Sequence, residues 1–145
     1  MAIDRQGTGL TVLRVLMGVF FVFMGVSKLA WFTDTSVLAA QLSDWQHAAP
    51  AGSISAQYLH RLAVPHVALF ARLVPLGEIV CGLTMTLGIW TPFFAFIAFF
   101  MALNFHVAGG TLFHYAFLTN GYGLPVLGGT LALAVGGVRL PWSLR

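Results

Sequence analysis

An all-α fold, a four-helix transmembrane bundle, is what this sequence predicts, and three observations predict it. Of the 145 residues, 59% are hydrophobic and 8% charged, where a soluble domain carries about a quarter charged residues. The mean hydropathy is +0.89, which places the chain in the membrane class. The apolar residues also gather into runs close to the ~20 residues that a hydrocarbon core of about 30 Å demands of a helix. The prediction is a single integral membrane domain over residues 1–145, with spans at about 10–31, 65–90, 92–109 and 117–138.

The first span runs from Leu10 to Trp31. Arg5 ahead of an apolar run and Leu38-Ala39-Ala40 beyond it imitate a secretion signal. The run is longer than the 7–15-residue apolar core of such a signal, so an uncleaved membrane helix is expected. At about 100° per residue, Arg14, Gly18, Phe21, Gly25 and Lys28 share one stripe. Ordinary packing explains such a stripe, because small residues let helices approach and cations near helix ends extend to the interface. Arg14 is therefore read as a structural charge.

Residues 32–64 are polar, with Asp34, Asp44, His47, His60, Arg61, Pro50 and Gly52. A structureless loop longer than about 15 residues is uncommon in a compact protein. SVLAAQLSDWQHA has a loose helical pattern, and Trp31, Phe32 and Trp45 are available for the interface. One or two short interfacial helices are expected in this first extracytoplasmic connection.

The second span opens on Pro65, a residue suited to the first helical position, and contains Pro75, which frees the carbonyl of Ala71 and predicts a kink. The Gly88–Pro92 turn is short, so the second and third spans are antiparallel neighbours. The third span is rich in Phe and polar only at its far end, at Asn104 and His106. An aromatic and polar connection, TLFHYAFLTNGYG, leads to the fourth span. There Gly128, Ala132 and Gly136 form a small-residue ridge suited to close helix contact.

Four spans put both termini on one side, with Arg5, Arg139 and Arg145, and the positive-inside rule makes that side cytoplasmic. A rise of 1.5 Å per residue then sets Glu78 and Asn104 near the midplane, at about 18 Å, with Arg72 and Lys28 near 27 Å. His106 lies between these depths. All five histidines, His47, His60, His66, His106 and His114, fall in or beyond the outer half.

Glu78 is the anomaly, because an ionisable group facing lipid at a helix centre costs roughly 2.5–3.5 kcal/mol. It shares a stripe with Ala71, Pro75, Gly82 and Met85 that faces the bundle interior. Lys28 or Arg72 from above and Asn104 from the side are its expected partners. Two readings stay open: a structural group, ion-paired or protonated against Asn104, and a ligand- or proton-handling centre. Residues two apart on a helix face away from each other, so Asn104 and His106 cannot both point inward along a regular helix.

Other chemistries find little support. The pI of 9.6 rests on 7 Lys+Arg against 4 Asp+Glu, too few to track phosphates, so no nucleic-acid partner is expected. The lone Cys81 allows no internal disulfide and no dithiol relay. Spacings His60-x5-His66 and His106-x7-His114 differ from the short spacings of metal sites, and no metal is assigned. A haem or pigment contact through His106 or His114 ranks below a quinone. No catalytic triad, phosphate loop or HExxH is present, so no reaction is assigned to the chain.

Arg14-x3-Gly18, Gly25-x2-Lys28, Gly77-Glu78 and Gly88-x2-Thr91 resemble the DoxX family of small bacterial membrane proteins, over about residues 10–138. The resemblance implies a four-helix bundle associated with redox systems, the family name deriving from a subunit linked to a thiosulfate:quinone oxidoreductase and terminal oxidase. It implies the bacterial inner membrane as location, and it places Arg14, Lys28 and Glu78 on the family's recurrent charged positions. The long 32–64 connection and the stretch NFHVAGGTLFHYAF depart from that pattern.

The resulting expectation is a small subunit or accessory factor of a membrane redox complex, embedded in lipid beside other membrane-protein subunits. A quinone-like ligand would enter its outer half, near Glu78, Lys28, Arg72, Asn104 and His106. Two alternatives are a purely structural subunit packing against larger membrane or pigment-binding proteins, and an autonomous quinone-linked oxidoreductase.

Overall fold

The computed structural model describes residues 5–144, and among them the regular structure is helical, with seven α-helices. Helix α1 (Arg5–Val26) is followed by a 3-10 turn (Leu29–Phe32), α2 (Ser36–Ala48), α3 (Ile54–Tyr58) and a π-turn (Leu59–Ala63). Then come α4 (Val67–Leu87), α5 (Thr91–Ala108), α6 (Tyr115–Thr119) and α7 (Leu124–Gly136). Among the described residues, α1, α4 and α5 are long and apolar enough to cross a membrane. The side chains they leave exposed include Leu16, Phe23, Leu76, Phe96 and Phe100, an apolar belt that a bilayer, not water, accommodates.

The α1–α4 pair is the spine of the fold. The predicted stripe is the packing face of α1: Arg14, Gly18, Phe21 and Gly25 are buried on it. A Cβ at Gly18 would lie 2.6 Å from Thr86 N and 2.8 Å from Gly82 O, and one at Gly82 would lie 2.5 Å from Val22 N. The backbones therefore touch where glycine permits it. Glu78 and the other four members of its stripe on α4 are buried as well, and α4 continues helically through the buried Pro75.

Gly88 ends α4 at φ 76°. The Ile89 N–H donates to Thr84 O at 2.8 Å, the six-to-one bond of a Schellman ending. Pro92 then stands in the first turn of α5, where its missing N–H costs nothing. Helix α5 runs back along α4, and α7 packs on α5 and α1.

The fourth apolar segment differs from its expected bounds. In place of a helix over 117–138 there are α6, a turn, and α7 of 13 residues. The Asn120-Gly121 pair breaks the run: Asn120 is extended, and its side chain accepts from Tyr122 N, a local turn bond that competes with helix. The small-residue ridge faces outward. Gly128, Ala132 and Gly136 are exposed, whereas Val126, Gly129, Thr130 and Leu133 face the interior.

The 32–64 connection is largely helical, as expected. Leu38 and Leu42 of α2 join Trp31, Leu59, Ala63, Ala71, Val74 and Ala108 in one core cluster, and Ser55 Oγ donates to Ala108 O at 2.7 Å. These contacts cap the end of the helices where α1 stops and α4 starts. At the other end the chain after α7 folds back: Leu144 N donates to Leu87 O at 2.9 Å, and Thr11 Oγ1 to Pro141 O at 3.3 Å.

Candidate functional site

Lys28 and Glu78 meet between α1 and α4. Lys28 Nζ donates to Oε1 and Oε2 of Glu78, both at 2.8 Å, and to Met24 O at 3.0 Å. All three ammonium protons are thereby used. The ammonium also lies 5.9 Å from the Trp31 ring centre and 5.7 Å from that of Phe105, within cation–π range. The side chains are 11% and 5% exposed, so each charge depends on the other for compensation.

The pair forms part of the wall of a cavity of about 230 Å³. Phe20, Phe21, Met24, Trp31, Phe105 and Tyr122 supply most of its apolar surface, and Gln41 and His106 complete its polar lining. His106 Nε2 donates to Tyr122 O at 2.9 Å, since a carbonyl only accepts. Its Nδ1 lies 3.0 Å from Thr111 Oγ1, and its ring meets Phe117 edge-on at 4.8 Å. Both ring nitrogens are thus engaged in fastening the chain beyond α5 to the cavity. Free polar capacity remains in the other lone pairs of Glu78 and in the Gln41 amide.

The expected residues separate into three groups. Glu78, Lys28 and His106 line the cavity together. Arg72 does not join them: it is exposed, because six residues from Glu78 place it about 120° round the helix from the buried stripe. Asn104 also lies elsewhere. It lies beside the Tyr58 phenol and lines a separate apolar cleft between α4 and α5. Of the two positions that cannot both face inward, His106 takes the cavity and Asn104 the opposite side. Burial pushes the Tyr58 phenol above its ordinary pKa, and the nearby Asn104 amide partly offsets this.

Arg14 is 1% exposed and lies at the other end of α1. Its Nη1 donates to Ser143 Oγ at 3.2 Å and its Nη2 to Trp142 O at 3.1 Å. Among the described residues the one ion pair is Lys28–Glu78, so the Arg14 guanidinium is held by neutral acceptors there. Arg145 lies outside the described residues. His47, His60, His66 and His114 are exposed.

Sequence reasoning missed Gln41, Trp31, Phe105 and Tyr122 as cavity walls. For Gln41 a signal existed: Leu38, Gln41, Leu42 and Trp45 recur at helical spacing on α2, so a helix docked through its leucines carries the amide inward. Tyr122 belongs to a turn whose path follows from the His106 bond, which no local pattern announces.

Long apolar helices packed through glycine, with a buried ion pair among them, define a multi-pass membrane protein in contact with lipid. The chain belongs to the DoxX family, which residues 9–115 match. The matched segment contains Arg14, Lys28, Glu78 and His106 and ends before α7, short of the expected limit near residue 138. No curated protein and no solved structure matches the chain.

Proposed function

We propose that the chain is a small subunit or accessory factor of a membrane redox complex, and that its cavity binds a quinone-like ligand. The observation that carries this reading is the buried Lys28–Glu78 pair in the wall of an aromatic cavity of about 230 Å³. A mostly apolar pocket with a few convergent polar groups is the usual form of a small-molecule site. Glu78 accepts but does not donate, and Gln41 does both. A flat ligand bearing a hydroxyl and a carbonyl matches this set, as quinols and quinones do. Cys81 is a single buried thiol, so the electron carrier belongs to a partner.

In this reading α7, about 20 Å long by its rise, completes a four-span bundle with the residues before it bridging the remaining depth. The domain is single, the membrane is the bacterial inner membrane, and the termini are cytoplasmic. Arg5 and Arg139 favour that orientation. The exposed Gly128, Ala132 and Gly136 support a second reading, a structural subunit, since a partner helix packs closely on such a ridge.

Trp31 makes the ligand test direct. Titrating the purified chain in nanodiscs with a short-chain ubiquinone should quench tryptophan fluorescence saturably, and Trp31→Phe should remove most of the saturable part. Glu78→Gln should weaken binding by about tenfold, the equivalent of one charge-assisted hydrogen bond of ~1.4 kcal/mol, while retaining more fold than binding. Equal losses of folded yield and binding in Glu78→Gln and Glu78→Ala would favour the structural reading.

A further inference from the structure

At the opposite end of the helices, a second cavity of about 220 Å³ lies between the α4–α5 turn and the segment after α7. Gly88, Trp90, Thr91, Arg139 and Ser143 are among its walls. Thr91 is 2% exposed, and its hydroxyl has no hydrogen-bond partner. Arg14 reaches the same place from behind: its guanidinium bonds Ser143 Oγ, its Nε has no partner, and a Cβ on Gly88 would overlap Nη1.

Arg14 and Arg139 are the described charges nearest this cavity; Arg5 also belongs to this end, and Asp4, which precedes it in the sequence, lies outside the described residues. The described carboxylates are elsewhere: Asp34 and Asp44 follow α1 in the opposite connection, and Glu78 is held by Lys28. The α5 N-terminus adds its partial positive charge, and no side chain of its own caps it.

Two features fix the depth. Trp90 and Trp142 are 71% and 77% exposed, and exposed Trp beside a membrane helix sits at the headgroup level. Below them Leu87, Phe93 and Val138 are exposed apolar surface.

We infer that this cavity seats the phosphate of an anionic membrane lipid, with Arg139 and the buried Arg14 supplying the charge and Thr91 a hydroxyl donor. The acyl chains then run down the exposed α4–α5 surface. The inference depends on the helices crossing a bilayer and not on the ligand of the Lys28–Glu78 cavity.

Native mass spectrometry of the full chain in mild detergent tests it, with phosphatidylglycerol and phosphatidylcholine of matched acyl chains at equal concentration. The phosphatidylglycerol adduct should dominate, and Arg139→Gln should reduce it by about fivefold, the effect of one interfacial cation. Thr91→Val should also reduce it, while Arg61→Gln, at an exposed cation of the opposite connection, should not. Equal adducts of the two lipids, or an equal loss in Arg61→Gln, would overturn the proposal. Displacement of the lipid by millimolar inorganic phosphate would overturn the lipid assignment in favour of a free anion.

Discussion

Arg14 on α1 and Lys28, two residues beyond its end, are about four turns apart; Arg14 is buried and the Lys28 side chain is 11% exposed, and the two cations are solved in different ways. Lys28 meets a carboxylate at 2.8 Å beside a cavity. Arg14 holds a serine hydroxyl and a backbone carbonyl from the chain after α7. The planar fork of arginine distributes its charge over several neutral acceptors, whereas the compact ammonium of lysine calls for a single strong counter-charge. The first arrangement fastens a chain segment; the second places paired charges where a ligand can meet them.

Removing one member of the ion pair should give the largest effect. Lys28→Met leaves Glu78 buried without its counter-charge, a loss of about 3–5 kcal/mol. Adding Glu78→Leu should recover most of it, because an apolar pair avoids both desolvation costs. Denaturant unfolding of the two variants in one detergent checks this. A double variant no more stable than the single one would mean that the charges are compensated from elsewhere.

Arg14→Met should cost less, about 1.5–3 kcal/mol for hydrogen bonds to a charged donor, and the loss should be local. Hydrogen exchange should accelerate at Leu144, whose N–H donates to Leu87 O, with little change in quinone binding. A fall in quinone affinity matching that of Glu78→Gln would erase the functional distinction between the two cations. Gly88→Ala follows at about 1–2 kcal/mol, the cost of a left-handed residue with a Cβ, increased by the overlap with Arg14 Nη1.

The difference between the two cations was only half visible in the sequence. Helical spacing placed Arg14, Gly18, Phe21, Gly25 and Lys28 on one face, and did the same for Glu78 on α4, because a 3.6-residue period is a local property. Depth counting then offered Lys28 and Arg72 alike, both about 9 Å above Glu78, and the shared stripes favoured neither. Rotation about the helix, and not depth, decides among Lys28, Arg72 and Asn104. Depth counting had no access to Tyr122 or Trp142, which arrive through irregular chain. The fourth apolar segment shows a related limit: hydropathy counts residues, while the turn bond at Asn120 ends the helix through geometry, so α7 begins at Leu124.

Asn104 carries the smallest effect and separates depth from direction most cleanly. It is near Glu78 in depth but lies beside the Tyr58 phenol on the far side of α5. Tyr58→Phe, which removes this polar neighbour of the amide, should therefore cost no more than about 1 kcal/mol, the net worth of one hydrogen bond. The docking of α3 should loosen, with faster exchange around Ser55, whose hydroxyl anchors α3 to Ala108 O. Ligand-dependent quenching of Trp31 should stay unchanged, since neither Asn104 nor Tyr58 lines the ion-pair cavity. If Tyr58→Phe weakened that quenching as much as Glu78→Gln does, the two sides of α5 would be energetically one site, and Asn104 would belong with Glu78 after all.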